Sequence, residues 1–316
     1  MIKKKLKMDP NYNNNNNNKY VSNEIVNNIN EILCGVGSNN SSSACSSSGN
    51  DSGSASLVNN TINNFYDAEK NCFSSVGFDD SHNNIDNKNI ENCKLNFIKE
   101  YVTIKSEEIY LEGIINYNEK SKGIIIFVHG IGSSRFSPRN LFLSKYFQNM
   151  GYSTLLFDLL TPQEERLNNI TGEFKYNLNF ISNRILNATQ FIIFNQKLKH
   201  LDIIYFGSST GSAGIIECEK KVLSLGIKIK SIISRSGRLS LCNDNSIKSI
   251  STRILLVCGG DDKETLENNK LFLNKMNSRL EKKLAVILNA THLFPEENAL
   301  ENVASITLNF LNSSTL

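Results

Sequence analysis

The chain has 316 residues, 40% of them hydrophobic, and a formal net charge of +3 at pH 7. So small a charge gives no electrostatic basis for nucleic-acid binding, and no apolar run reaches membrane-spanning length. Seven cysteines at irregular spacing form neither a disulfide framework nor Cys-x-x-Cys metal pairs, which points to a reducing, cytoplasmic setting without metal or cofactor.

Residues 1–93 are dominated by Asn and Ser, with a polyasparagine run at 13–18 and a Ser/Gly tract at 38–56. Such segments bury too little apolar surface to offset the entropy of ordering, so this arm is expected to be mostly disordered. Val21, Ile25, Ile29, Ile32 and Leu33 alone have the spacing of a short amphipathic helix. The basic start (Lys3, Lys4, Lys5, Lys7) is not followed by the apolar stretch of a signal peptide. Residues 94–316 are rich in Ile, Leu, Val and Phe and suit one α/β domain.

Two strands, Lys99 to Ile104 and Tyr110 to Asn116, open the domain in antiparallel fashion. Ile124 to Val128 is continuously apolar, as in a strand buried on both faces. A loop through His129 and Gly130 leads to a helix from Pro138 to Met150, with Ser137 as N-cap and Gly151 as its stop. Thr154 to Phe157 is the next strand, and Thr161 to Asn177 reads as a polar connection. A helix carrying Phe180, Ile181, Ile185, Leu186, Phe191 and Ile192 follows. Later strands are expected at Ile203 to Phe206, Ile229 to Ile233, Arg253 to Cys258 and Leu284 to Leu288. Helices separate them: one after Gly207, one containing Leu266, Leu271 and Met276, and a last from Ala299 to Leu311. This alternation predicts a mostly parallel central sheet with helices on both faces, whose ligands sit beyond the carboxyl ends of the strands.

The pattern is organised around Gly207-Ser208-Ser209-Thr210-Gly211, a Gly-x-Ser-x-Gly between a strand and a helix. Such a strand-to-helix turn lifts one serine hydroxyl clear of the sheet. The pentapeptide alone is a weak signal, and its weight comes from candidate partners downstream. A serine needs a base to become nucleophilic. Of four histidines, His82 lies in the arm, His200 at the opposite edge of the sheet, and His129 before the serine. His292, in Ala290-Thr291-His292-Leu293-Phe294, is left as the base. The carboxylate that orients it is Asp261 or Asp262, after Gly259-Gly260; the spacing favours Asp262 and leaves Asp261 solvated or as a helix cap. Cys258, within an apolar strand, reads as a buried inert thiol.

From Gly123 to Leu311 the chain resembles the α/β-hydrolase superfamily, and more narrowly its dienelactone-hydrolase-like group of small hydrolases. The matching stretches are Phe127-Val128-His129-Gly130-Ile131-Gly132-Ser133-Ser134-Arg135 with Ser137-Pro138-Arg139-Asn140, Leu156-Phe157-Asp158-Leu159-Leu160-Thr161-Pro162, the serine turn, Gly259-Gly260-Asp261-Asp262 and Ala290-Thr291-His292-Leu293-Phe294. The resemblance implies a serine hydrolase for a small soluble ester or thioester, acting through Ser209, Asp262 and His292. It also implies an oxyanion hole from the backbone N–H groups of Thr210 and Ile131, with His129 shaping the loop. Dienelactone hydrolase proper uses a cysteine nucleophile, so Ser209 puts that substrate in doubt. Arg235 to Ser251 is too short for a large lid domain. Arg135 and Arg139, near a helix N-terminus, are open to two readings: anchors for a substrate anion, or ordinary ion-paired arginines. A non-catalytic binding protein on the same fold and an acyltransferase with the same residues are the competing functions.

Overall fold

Isoleucine and valine runs build the frame. In the computed structural model, which describes residues 96–313, strands β3 (Ile124–Val128), β5 (Ile203–Ser208) and β7 (Ile254–Gly259) are buried along their whole length. Among the described residues they join β1 (Ile98–Ser106), β2 (Ile109–Tyr117), β4 (Ser153–Phe157), β6 (Ile229–Arg235) and β8 (Lys282–Ile287) in one sheet of order β1-β2-β4-β3-β5-β6-β7-β8. β1 pairs with β2, and β2 with β4, in antiparallel sense; all other pairings are parallel. The expectations for residues 1–93, including the helical spacing at 21–33, lie outside the described residues.

Successive side chains of a strand face opposite ways, and the central strands divide their residues between two apolar layers accordingly. Ile124, Ile126, Val128, Ile203, Tyr205, Ile254 and Leu256 enter one layer. Helices α3 (Leu178–Phe194) and α4 (Thr210–Ser224) cover it, together with Phe272 of α6 (Lys263–Lys275). Ile125, Phe127, Ile204, Phe206, Leu255 and Val257 enter the other, under α1 (Pro138–Asn149) and α7 (Ala299–Asn312). Phe127 and Phe206, on neighbouring strands, stack with ring centroids 5.1 Å apart. Burying both faces is what makes these strands continuously apolar in sequence.

One element departs from expectation. The stretch read as a polar connection contains α2 (Pro162–Thr171). Its start is a reciprocal capping box: Glu164 N–H donates to Thr161 Oγ1 at 3.2 Å, and Thr161 N–H to Glu164 Oε2 at 2.8 Å. Thr-Pro-x-Glu is a start signal readable from sequence, but α2 buries little apolar surface, so periodicity is silent. Ser137 stands at the N-cap of α1 without making a capping bond, which leaves Pro138 as the start signal there. Between β6 and β7 the chain holds only a 3-10 turn (Leu239–Leu241) and the six-residue α5 (Asp244–Ser249), so the described residues include no separate lid domain there. No described helix is long and apolar enough to cross a membrane.

Candidate active site

The parallel strands deliver their carboxyl ends to one edge of the sheet. At the end of β5 the backbone turns sharply: Ser209 has φ 53° and ψ −120°, and α4 begins at Thr210. A non-glycine residue in this region costs on the order of 1–3 kcal/mol, held only because the surroundings over-determine it. Those surroundings demand the flanking glycines. A Cβ on Gly207 would lie 2.6 Å from Ser212 Cα, and one on Gly211 would lie 2.4 Å from the Val128 carbonyl oxygen. Ser209 N–H donates to the Arg235 carbonyl and Arg238 N–H to the Ser209 carbonyl, both at 3.1 Å, so the exit of β6 is bonded to both sides of the turn.

His292 lies beyond β8 and shares with Ser209 a cavity of about 420 Å³. Its Nδ1 is 2.6 Å from Asp262 Oδ2, which assigns the proton to Nδ1 and leaves Nε2 free to accept one. Asp262 is the N-cap residue of α6 by position, yet its side chain makes no capping bond; it turns to the imidazole instead. Asp261 is about half exposed and lies 3.6 Å from Lys263 Nζ. The histidine loop is pinned by Glu296, whose Oε1 accepts from Thr291 N–H at 2.9 Å and Thr291 Oγ1 at 2.6 Å. No hydrogen bond joins Ser209 Oγ to His292 in this resting geometry; such bonds commonly tighten only when substrate seats.

The loop after β3 closes over the serine, and a Cβ on Gly130 would come within 3.2 Å of Ser209 Cβ. Thr210, as the first residue of α4, has its N–H outside the helical ladder. Ile131 N–H is at the site, but it donates to Thr210 Oγ1 at 2.8 Å, so an incoming oxyanion would have to replace a hydroxyl there. His129 is buried and braces this loop. Leu159 N–H donates to its Nε2 at 3.1 Å, so its Nδ1 carries the proton and meets the Gly130 carbonyl at 2.9 Å. Burial holds its pKa below the ordinary value. The Cys258 thiol, buried and then opposed by Asp262, is pushed up to about 12 and is unreactive.

The two arginines part company. Arg135 is ion-paired with Asp158 and Glu112 and does not line the cavity. Arg139 does line the cavity. Sequence reasoning missed Arg235, Arg238 and Lys175, which also line it. The first two flank Ser236-Gly237 at the carboxyl end of β6, the edge where ligands bind in parallel sheets, and that placement was the available signal. Among the described residues no group of three or more His, Cys, Asp or Glu side chains could hold a metal ion.

No family model matches the sequence. A Mycobacterium tuberculosis protein named putative phosphoribosyl transferase is 34% identical over 207 residues, 66% of this chain and 44% of that protein. The chain thus spans less than half of this curated relative. The solved dienelactone hydrolase of Anabaena variabilis is 30% identical and superposes with a TM-score of 0.63 over 67% of this chain and 96% of its own. Est1E of Butyrivibrio proteoclasticus, at 15% identity and a TM-score of 0.54 over 67% of this chain and 99% of its own, shares the fold.

Proposed function

Because the chain belongs to the dienelactone-hydrolase-like group of α/β-hydrolases, we propose that it is a serine hydrolase cleaving a small carboxylic ester or thioester through an acyl-enzyme. The observation that carries this reading is the 2.6 Å contact between His292 Nδ1 and Asp262 Oδ2, with the other imidazole nitrogen free on the cavity that Ser209 lines.

In this mechanism Ser209 Oγ attacks the carbonyl carbon as His292 Nε2 takes its proton, and Asp262 stabilises the imidazolium. The tetrahedral oxyanion accepts from Thr210 N–H and from Ile131 N–H, which exchanges the Thr210 hydroxyl for the stronger, charged acceptor. His292 returns the proton to the leaving alcohol or thiol as its bond to the acyl carbon breaks. Water, deprotonated by His292, then releases the acid and restores Ser209. Each oxyanion donor is worth about 10²–10³-fold in rate.

The mycobacterial relative's name raises phosphoribosyl transfer as another reading. Hydrolysis is favoured because the match to dienelactone hydrolase runs over 96% of that chain, against 44% of the mycobacterial protein. Acyl transfer to an alcohol would use the same residues and differ only in the acceptor. A purely binding role would leave the contact between His292 and Asp262 without a task.

Labelling with a fluorophosphonate, together with turnover of 4-nitrophenyl acetate, tests the proposal. Wild type should label and turn over, while Ser209→Ala should do neither at an unchanged melting temperature, since its side chain adds little to the core. Equal turnover by Ser209→Ala sinks the assignment. Ester products formed when alcohols are added would identify an acyltransferase.

A further inference from the structure

The described lining of the cavity beside Ser209 is cationic. Arg139, Lys175, Arg235 and Arg238 line it, and among the described residues that line it none is acidic. Exposed Lys175 and Arg238 are solvated, but Arg235 is only 5% exposed. A buried guanidinium ordinarily meets a carboxylate, because an unpaired charge in a desolvated site is costly. This chain follows that rule elsewhere: Arg135 meets Asp158 and Glu112, Arg184 meets Glu164, and Arg253 meets Glu281. Arg235 breaks it. Its Nη2 donates to Ser208 Oγ at 3.0 Å, its guanidinium carbon lies 5.9 Å from the centre of the Phe294 ring, and its Nη1 is buried without a partner. Burial and the nearby charge of Arg139 hold its pKa down to about 9, so it is charged at neutral pH and repels its neighbour.

Among the described residues that line this cavity, three buried side-chain polar atoms are unpartnered: Arg235 Nη1, Arg139 Nε and Ser236 Oγ. A planar carboxylate offers two oxygens and one charge to three donors and two cations. A phosphate monoester offers three oxygens and up to two charges. We propose that the substrate is a phosphate-bearing ester, whose phosphate monoester group seats on Arg235, Arg139 and Ser236 while its carboxylic ester or thioester bond lies at Ser209. The inference rests on the hydrolase reading for the scissile bond and on the unpaired donors for the phosphate. Arg235 supplies through its carbonyl the acceptor for Ser209 N–H, which ties the backbones of the two positions together before substrate arrives.

Binding of inorganic phosphate to the full chain carrying Ser209→Ala, at constant ionic strength, tests the phosphate seat apart from hydrolysis. Phosphate should bind and raise the melting temperature, acetate should bind about tenfold or more weakly, and Arg139→Gln should weaken phosphate by about tenfold or more. Arg235→Lys, which keeps the charge and loses the fork, should also weaken it, and a folded Arg235→Lys melting profile guards against misreading an unfolded variant. Acetate binding as tightly as phosphate, or phosphate binding unchanged in both variants, overturns the inference. A protein that binds phosphate but resists fluorophosphonate sinks the hydrolase reading and leaves the seat. A protein that labels but ignores phosphate sinks the seat alone.

Discussion

Asp262 and Asp261 are adjacent, chemically identical and differently employed. One gives up helix capping to hold His292 at 2.6 Å; the other stands about half exposed beside Lys263. Asp262→Asn presents an amide where the imidazole N–H needs an acceptor and favours the wrong tautomer. In a serine protease the same change lowers turnover about 10⁴-fold. A loss of that order is expected here, against less than about tenfold for Asp261→Asn, which changes only a surface charge. Esterase kinetics on the two variants decide between them, and a reversed order would remove Asp262 from the site. The places of Ser209, Asp262 and His292 at one sheet edge were legible in sequence because each follows an apolar strand. Arg235 was not. An arginine at the end of a strand looks the same in sequence whether it reaches solvent or is buried, and only packing distinguishes them.

At the scale of elements, the ends of helices carry more than their lengths. α2 was invisible to periodicity because it buries little, though its capping box was written in Thr161 and Glu164. α4 shows the opposite situation. Its Glu219, 1% exposed, accepts from Thr252 N–H at 2.7 Å, Ser251 N–H at 3.1 Å and Ser251 Oγ at 3.3 Å, and so ties the helix to the approach to β7. A charged residue in an otherwise apolar helix face gives no hint in sequence of three donors arriving from a distant part of the chain. Glu219→Ala leaves two backbone N–H groups without their acceptor, and a loss of roughly 2–4 kcal/mol in urea unfolding is expected, with the helix itself retained. A loss below about 0.5 kcal/mol would show that water replaces the carboxylate.

Across the whole molecule, continuously apolar strands alternating with helices made the architecture readable, since a parallel sheet covered on both faces has few other solutions. Stability should nonetheless depend on one buried polar group in the loop after β3. His129 accepts from Leu159 N–H through Nε2, an acceptor that protonation abolishes, and its folded pKa lies below the ordinary 6.5. The native state therefore binds fewer protons than the unfolded chain once pH drops below about 6.5. This contribution is complete above that pH and is lost as pH falls toward the folded value. Melting temperature should decline as pH falls below about 6.5, and His129→Gln should flatten part of the decline; an identical slope in the variant would assign the acid sensitivity elsewhere.

The bonds from Ser209 to Arg235 and Arg238 have a consequence for how this protein can diversify. Residues that select a ligand usually sit on loops that drift freely while the reacting group stays fixed. Here the strand exit proposed to hold the phosphate and the turn proposed to carry the nucleophile are one hydrogen-bonded unit, so lengthening or shortening the segment around Ser236 would relax the strained backbone that presents Ser209. New specificity is more accessible on the separate loop bearing Lys175, which borders the same cavity without a backbone bond to the turn. Libraries confined to residues 173–177 should yield altered ligand preference with turnover intact, whereas insertions at 236–238 should lose turnover before they gain any preference.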